Sequence, residues 1–537
     1  MSAILPPGSA AFGITDLPSG LSFLARLPTA NPPVALDELQ RFLDSLLLAE
    51  IDGDVLLTLL EQARVSLGFV GDELSLQFVN QPLPLAEGEE NTFRRLSDLW
   101  LKTARAYARC PQLAGDDDAS ASEQRERLAL ILHRCLYYTG LSLFEHQRAR
   151  REPPAGLWLD IHGYFASAEE WGVATLAVSD TLDPFGRSSH CTAAYVTLLL
   201  PELASPYSLP VTDQELVRRL GISWAPLVGV HAVRGNEGLP QFVGDLMYDG
   251  GLRPSHEYEH GGQLRRLDTG RLSLQMNHAR AQLKQKIPPV QLGFGSDCST
   301  TQCMRLLELL ARPWAQARAP RKFRRHASSG LARVCTGFEG IHYVLSGHVF
   351  SQPENVSTYS RKEFDALFAF RHMVDPTQQL QIQQEQLGIG ADTWEVVNQS
   401  ANGFRLTRSI AGRRMAHGQL IAVSPPDGDR FLLAQSNWLM QERGGGLLAG
   451  VAVLPGIPVA LAARPLPEAG RREPYTRAFL LSAVPAIGAE ASLVLPAGWF
   501  HYGRIIEVFN EGVWRVRLSG LLQEGSDFAR VSFATAG

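Results

Sequence analysis

Three arginines stand close together in the segment PRKFRRHAS, which covers residues 320–328. Arg321 and Arg325 have R-x-x-x-R spacing, with Arg324 between them. A guanidinium group can donate two parallel hydrogen bonds to O6 and N7 of guanine or to phosphate oxygens, and its plane stacks on a base. Two arginines on one short segment are therefore suited to clasp a compact ligand that carries guanines and phosphates.

A second polar motif, Asn398-x-Ser400-x-x-Gly403, lies within WEVVNQSANGFRL at residues 394–406. The β-branched and aromatic residues on both sides predict a strand, a turn and a second strand. Asn398 and Ser400 offer short polar side chains for hydrogen bonds to a base or a ribose. Gly403 permits a tight turn or a close approach of the ligand to the backbone.

In this order, the two motifs resemble the signature of the PilZ family of cyclic di-GMP receptors, which is R-x-x-x-R followed by D/N-x-S-x-x-G. The downstream segment FLLAQSNWLM…GGLLAGVAVL, with Trp438 and Gly450, resembles the later strands of the family, so the resemblance covers about residues 318–465. It implies a six-stranded β-barrel and a cyclic di-GMP site. The residues carried over to that site are Arg321, Arg324, Arg325, Asn398, Ser400 and Gly403.

The interval between the motifs departs from the family pattern, because 72 residues separate Arg325 from Asn398. We attribute the excess to an insertion around residues 350–391, with a helix predicted over 361–373 and a Gln-rich stretch after it. Such an insertion would support oligomerisation or a contact between domains, or it would obstruct the ligand. The sequence leaves these alternatives open.

Other groups of polar residues do not match a known catalytic, phosphate-binding or metal-binding motif. His256 and His260, in HEYEHGG, do not match the H-E-x-x-H zinc pattern, and a polar loop is the favoured interpretation. GFGSD at residues 293–297 is too short for a phosphate loop, and the chain has no G-x-S-x-G elbow. The sequence therefore predicts neither an enzyme nor a metal site, and no cofactor beyond the ligand cyclic di-GMP.

The elements that precede the motifs are mainly helical over residues 1–310, with some short strands near 225–275. Ser120 with Glu123, and Thr212 with Glu215, have capping-box spacing and predict helix starts. Two prolines, Pro201 and Pro313, are predicted to end helices. Residues 311–320 are predicted to be a linker.

Beyond the linker, short segments rich in β-branched and aromatic residues alternate with Gly, Pro and Asp, a cadence typical of small barrels. We assign residues 321–467 to the PilZ-like barrel, including GLARVCTGFEGIHYVLSG as strand-like sequence, and residues 475–537 to a second small β domain. The predicted fold class is multidomain α+β, a largely helical N-terminal region followed by two β domains.

Composition narrows the class of protein. The 537 residues are 45% hydrophobic and 20% charged, with a net charge of −5, so bulk charge does not indicate a DNA- or RNA-binding protein. Six cysteines are too sparse for a disulfide scaffold, and reduced thiols in a cytoplasmic protein are predicted. The longest apolar stretch, residues 447–463, is broken by Pro455 and Pro458, and it predicts two strands rather than a membrane span.

The first functional hypothesis is a non-enzymatic cyclic di-GMP effector that converts binding into a domain rearrangement or a contact with a protein partner, through the helical N-terminal region. The alternative is a non-binding scaffold of the same fold that acts through protein–protein contacts. The sequence leaves open whether the ligand binds singly or as an intercalated pair, and whether the chain forms a homo-oligomer.

Overall fold

A computed structural model describes residues 13–113, 120–180, 182, 186–233, 240–255, 263–317, 326–353, 390–409, 412–466 and 473–536. The chain divides into two compact units, Met1–Gln81 with Leu85–Pro320 and Pro82–Pro84 with Arg321–Gly537. The first is largely helical and the second contains two β-barrels. The predicted multidomain α+β class is confirmed.

The helices of the first unit all bury apolar side chains. In α2, for example, Leu39, Phe42, Leu43 and Leu46 are fully buried on one face. The bounds are α1 Leu17–Leu24, α2 Pro32–Leu48, α3 Gly53–Ser75, α4 Glu87–Arg109, α5 Ala121–Arg148, α6 Leu157–Glu170, α7 Cys191–Leu203, α8 Val211–Trp224, α9 Gly270–Lys284 and α10 Thr300–Trp314.

A small antiparallel sheet lies between α8 and α9 in the chain. Its strands are β1 Gly229–Ala232, β2 Phe242–Asp245, β3 Leu252–Pro254 and β4 Leu264–Asp268, in the order β1-β4-β2-β3. Asp249, which lies between β2 and β3, accepts hydrogen bonds from the backbone N–H groups of Gly156 and Trp158 at the start of α6. The sheet is therefore fastened to the helices by a side-chain cap.

Helix boundaries follow the sequence only in part. The Ser120–Glu123 capping box begins α5 as predicted, but α8 begins at Val211 with Pro210 as its N-cap residue, so the Thr212–Glu215 box was wrong. α7 continues beyond Pro201 to Leu203, and α10 continues beyond Pro313 to Trp314.

Tertiary packing explains why α10 outlasts its proline. The side chain of Trp314 is fully buried, and its indole N–H donates to the carbonyl of Leu200 at 3.0 Å. Burial of a tryptophan outweighs the loss of one backbone hydrogen bond in a last turn. Residues 311–314, which were predicted to be linker, are therefore helical.

The first barrel follows in the second unit. Its strands are β5 His326–Ala327, β6 Leu331–Thr336, β7 Asp392–Ser400, β8 Gly403–Arg408, β9 Leu420–Ser424, β10 Leu432–Gln441 and β11 Leu447–Val453. Six of them close in the order β7-β6-β9-β10-β11-β8, because β7 also pairs with β8. The short β5 pairs with β7 beyond the segment that β6 occupies.

A helix that the sequence pattern did not predict, α11 Phe338–Ser346, interrupts the strand-like sequence after β6. Ile341 is fully buried on it, and the rings of Phe338 and Phe479 lie 5.3 Å apart. The predicted helix over 361–373 lies outside the described residues, as does most of the 350–391 insertion.

The second barrel is also six-stranded and closed. Its strands are β12 Pro458–Pro465, β13 Thr476–Leu481, β14 Ser492–Pro496, β15 Ile505–Phe509, β16 Val513–Glu524 and β17 Phe528–Thr535, in the order β12-β13-β14-β17-β16-β15. The 447–463 stretch forms two strands as predicted. However, β12 pairs with β13 and β15 of this barrel, so residues 458–465 do not belong to the first barrel, to which the sequence analysis assigned them.

One apolar cluster joins both barrels and α11, with buried residues such as Leu420 and Leu433 from the first and Phe479 and Phe528 from the second. Polar contacts reinforce it: the backbone N–H of Leu420 donates to the Asp527 carboxylate at 2.8 Å. Burial raises the pKa of Asp527, against the effect of that hydrogen bond.

Candidate functional site

The Asn398-x-Ser400-x-x-Gly403 motif forms the hairpin between β7 and β8. Ser400 pairs with Gly403 across a two-residue turn of Ala401 and Asn402. The Ser400 hydroxyl lies 3.3 Å from the Asn402 side-chain oxygen and 3.3 Å from the Gly403 carbonyl oxygen. Asn398 and Ser400 are two residues apart on one strand, so their side chains share a face.

Gly403 is required by the close approach of β11. A Cβ atom at this position would lie 2.3 Å from the carbonyl oxygen of Val451, a backbone atom with little freedom to move. Here the glycine therefore serves strand pairing, and its lack of a side chain leaves room beside Ser400.

A row of cross-strand partners runs from Asn398 over four strands of the first barrel. Asn398 pairs with Arg405 on β8, Arg405 pairs with Gly450 on β11, and Gly450 pairs with Trp438 on β10. Residues opposite one another in a sheet project on the same side. We call Asn398, Arg405, Gly450 and Trp438 the polar row.

Trp438 lies across Gly450. A Cβ atom on Gly450 would fall 1.8 Å from the indole nitrogen, so the indole fills the space that a larger residue would occupy. The guanidinium carbon of Arg405 lies 5.7 Å from the centroid of the Trp438 ring, within cation–π range. A bulge between Ser436 and Trp438 leaves Asn437 as the extra residue and changes the strand direction locally.

These residues line a cavity of about 210 Å³. Its walls include Asn398, Ser400 and Gly403 of the predicted site, together with Arg405 and Trp438. The Nε atom of Arg405 is buried and has no hydrogen-bond partner within the described part of the chain. A half-buried guanidinium, an aromatic face and short polar groups are the components that recognise a base or a phosphate oxygen.

Arg321, Arg324 and Arg325 lie outside the described residues, so the structure does not test their roles. The described chain resumes at strand β5, in which His326 pairs with Gln399 of β7 and Ala327 pairs with Asn398 of β7. The pairing is antiparallel. As β7 proceeds from Asn398 toward Ser400, β5 proceeds from Ala327 back to His326.

Three polar residues of the cavity, Arg405, Asn437 and Asn402, were not predicted from the sequence. Arg405 could have been found, because it stands two residues after Gly403 on a predicted strand and must share its face. Trp438 and Gly450 were noted for the family resemblance but not assigned to the site. Asn437 depends on a bulge that no local pattern indicates.

No group of three or more His, Cys, Asp and Glu side chains with metal-binding geometry occurs among the residues that the structure describes. His256 and His260 fall outside them. No helix of the described chain is long and apolar enough to cross a membrane.

Comparison with known proteins relates both ends of the chain to one receptor. Residues 19–234 match the family described as "Cyclic-di-GMP receptor FimW, N-terminal domain". Residues 461–536 match the "FimW C-terminal beta-barrel domain". The chain is similar to FimW.

The similarity to FimW also extends over the region between these two matches. The protein named "Cyclic-di-GMP receptor FimW" from Pseudomonas aeruginosa is 23% identical to this chain, and the match covers 90% of this chain and 85% of FimW. The second barrel corresponds to the C-terminal match, although β12 begins three residues earlier, at Pro458. The polar row lies between the two matched segments.

Proposed function

We propose that this protein is a non-enzymatic receptor for cyclic di-GMP, and that the ligand binds between the Arg321–Arg325 segment and the cavity of the first barrel. The polar row carries the proposal. It combines a guanidinium, an indole and the Asn398 amide on one face, next to Ser400. Cyclic di-GMP presents guanines and phosphodiesters, which these groups recognise by stacking and by charge-assisted hydrogen bonds.

The course of β5 supports a site shared with the arginines. His326 follows Arg325 directly in the chain and pairs with Gln399, next to Ser400. Consecutive Cα atoms are about 3.8 Å apart. The proposed contact therefore needs only the five residues Arg321–Arg325, directly before His326, to turn toward the cavity. The barrel cavity has a volume of only about 210 Å³, so a ligand that extends beyond it would need further contacts. The arginines would supply these contacts.

The FimW similarity supports the same ligand for this chain. It also supports a receptor rather than an enzyme, since the relative is named as a receptor. In the proposed mechanism, Arg321 and Arg325 grip guanine edges and phosphates, and Arg324 assists. Asn398 and Ser400 bond the ligand from the barrel, and Gly403 leaves space for it.

Isothermal titration calorimetry of the full chain with cyclic di-GMP tests the proposal, with GTP as the control ligand. We expect saturable binding of micromolar affinity or better, and a stoichiometry that distinguishes one ligand from an intercalated pair. Arg321→Ala and Arg325→Ala should each weaken binding roughly ten- to hundredfold, the effect of losing a bidentate charge-assisted contact.

A matched control is Arg333→Ala. Arg333 lies on β6, and its guanidinium carbon sits 5.0 Å from the centroid of the Phe431 ring, outside the cavity lining. Its removal should leave the affinity unchanged. If the parent chain shows no heat and no thermal shift with cyclic di-GMP, the receptor proposal fails and the scaffold alternative takes its place.

The proposed output is a rearrangement that follows binding, transmitted to a protein partner by the helical unit. The motif arginines stand in sequence directly after the boundary between the two compact units, at Pro320. Binding of the ligand to this segment should change the radius of gyration in solution scattering or the rate of proteolysis within residues 315–325. Unchanged scattering and proteolysis at saturating ligand would leave a receptor without this switch.

A further inference from the structure

The six cysteines of the chain all lie within its described part, and all are free thiols. Five of them are fully buried, namely Cys110, Cys135, Cys191, Cys303 and Cys335. Cys298 is the exception, because it is partly exposed. It is therefore the cysteine that a thiol reagent in solution reaches while the protein stays folded.

The sulfur atom of Cys298 lies 3.2 Å from that of Cys303. A disulfide bond is about 2.05 Å long, so the two sulfur atoms need to approach by only about 1.2 Å. No hydrogen bond joins any other two of the six cysteine side chains, all of which the structure describes. The partly exposed thiol thus has one neighbour with which it could form a disulfide.

The start of α10 brings the two thiols together. Ser299 is the N-cap residue, and its side chain accepts a hydrogen bond from the backbone N–H of Gln302 at 3.2 Å. Cys298 immediately precedes the cap, and Cys303 is the fourth residue of the helix, with its N–H bonded to the Ser299 carbonyl at 3.0 Å. Side chains at these two positions commonly meet as a hydrophobic staple. The contact is therefore fixed by the local backbone.

The segment before α10 is itself held in place. The Cys298 thiol donates to the carbonyl oxygen of Phe294 at 3.3 Å. Next to it, the Asp297 carboxylate accepts hydrogen bonds from Arg219 of α8 at 2.7 and 3.1 Å. These contacts keep Cys298 beside the first turn of α10. A bond between the two cysteines would add a covalent link across that turn.

Burial gives the two thiols different roles. Burial raises the pKa of Cys303, and the hydrogen bond to Cys298 raises it further, so Cys303 is protonated at neutral pH. The thiolate is the nucleophile in disulfide exchange, and its rate of attack depends on access. Cys298, which solvent reaches, is therefore placed to react first with an oxidant, and the adjacent Cys303 is placed to react second.

We propose that Cys298 and Cys303 are a redox-active thiol pair, which a low-molecular-weight disulfide oxidises to a reversible intramolecular disulfide. In the first step, the Cys298 thiolate attacks one sulfur of the small disulfide, whose S–S bond breaks as the first small thiolate leaves. In the second step, the Cys303 sulfur attacks the Cys298 sulfur, and the second small thiolate leaves. The two thiolates take up the protons that the cysteines lose, so two protein thiols are oxidised and one small disulfide is reduced to two thiols.

Glutathione disulfide is the probe, incubated with the folded full chain at neutral pH. The remaining thiols are then blocked with N-ethylmaleimide under denaturing conditions, and the peptides are mapped by mass spectrometry. We expect a disulfide between Cys298 and Cys303, seen as a loss of two hydrogen atoms, or about 2 Da, without retained glutathione. The four other cysteines should all be blocked, and dithiothreitol should restore both thiols of the pair.

Substitutions separate the two steps. Cys303→Ser should stop the reaction at the mixed disulfide, so the glutathione adduct on Cys298 should decay at least about tenfold more slowly than in the parent chain, because the adjacent thiol is gone. Cys298→Ser should prevent oxidation of Cys303. The matched control is Cys191→Ser, which removes a buried thiol that donates to the carbonyl of Ala129 at 3.5 Å, and it should leave the disulfide unchanged.

A glutathione adduct that persists on Cys298 of the parent chain would overturn the proposal, and so would the absence of any reaction. Either result would leave the contact between Cys298 and Cys303 with a packing role only. If Cys303→Ser does not fold, Cys303→Ala replaces it, and the peptide map of the parent chain decides by itself whether the disulfide forms. The measurement does not involve cyclic di-GMP, so its outcome is independent of the receptor proposal.

Discussion

The two barrels share a strand number and a closed topology, yet they use arginine in opposite ways. In the first barrel, the cross-strand neighbours of Arg405 are Asn398 and Gly450. In the second, Arg464 on β12 pairs with Glu507 on β15, which in turn pairs with Arg515 on β16. One arginine has no acidic neighbour across the strands, and the other is matched by a carboxylate.

The second arrangement is a closed ion-pair network. Arg464 donates from Nε to Glu507 at 2.8 Å, Arg515 reaches the same carboxylate at 3.2 Å, and the Arg464 guanidinium carbon lies 4.2 Å from the Tyr475 ring centroid. Both arginines lie close to an aromatic ring, so the ring does not distinguish them. The difference lies in the carboxylate: Glu507 satisfies Arg464 internally, whereas neither cross-strand neighbour of Arg405 is acidic, as the proposed binding of an anionic ligand requires.

Replacing Arg464 and Arg405 one at a time should separate a role in stability from a role in ligand binding. The loss of stability in Arg464→Ala is the largest effect that we expect. Arg464→Ala leaves a largely buried Glu507 with only the exposed Arg515, so we expect a loss of about 2–4 kcal/mol in the free energy of unfolding and no change in cyclic di-GMP affinity. Arg405→Ala should weaken the ligand about tenfold and alter the unfolding free energy by less than about 1 kcal/mol. Urea unfolding measures the free energy of unfolding, and calorimetry measures the affinity for cyclic di-GMP. If Arg464→Ala mainly weakened binding and Arg405→Ala mainly reduced stability, the proposed difference between the two arginines would be wrong.

The aromatic residues provide a second, somewhat smaller contrast. Trp438→Ala removes a stacking surface from the cavity, and we expect cyclic di-GMP affinity to fall by about 1–3 kcal/mol, or roughly ten- to hundredfold. Trp514→Ala is the matched substitution in the second barrel, where the indole packs against Phe533 at 5.8 Å. It should leave the affinity unchanged. Equal losses in the two variants would indicate a general effect on folding rather than a ligand contact.

The sequence predicted the content of the barrels better than their connections. The residues at 447–463 form two strands as predicted, but the partners of β12 lie in the second barrel. Strand periodicity reports burial on a local face, whereas pairing depends on segments up to about fifty residues away. The missed α11 has the same cause, because its apolar face is stabilised by packing against Phe479 of the second barrel.

The candidate site shows a similar division. The polar pair Asn398 and Ser400 was predicted from the sequence, and two-residue spacing on a strand is sufficient to place both side chains on one face. Their meeting with Trp438 could not be derived, since it depends on the register of β10, β11 and β8 and on the bulge at Asn437.

Acid stability should distinguish the ion-pair network of the second barrel from the contact between barrels, and it is the smallest effect we expect. Burial raises the pKa of Glu507, but hydrogen bonds from Arg464 and Arg515 outweigh burial, and the pKa is lowered. Its stabilising contribution is therefore present above the ordinary glutamate pKa of about 4.3 and is lost as pH falls below that value.

Asp527 should behave in the opposite way, because its pKa is raised by burial. Its contribution to stability is complete below the ordinary aspartate pKa of about 3.9 and is lost as the pH rises above it. Between pH 6 and pH 3, Glu507→Gln should therefore reduce the loss of unfolding free energy on acidification, and Asp527→Asn should increase it. The measurement is the free energy of unfolding of each variant as a function of pH. If the two variants lost stability in parallel on acidification, neither carboxylate would titrate differently in the folded and unfolded chains. The arginines paired with Glu507 would then not determine how the second barrel responds to acid.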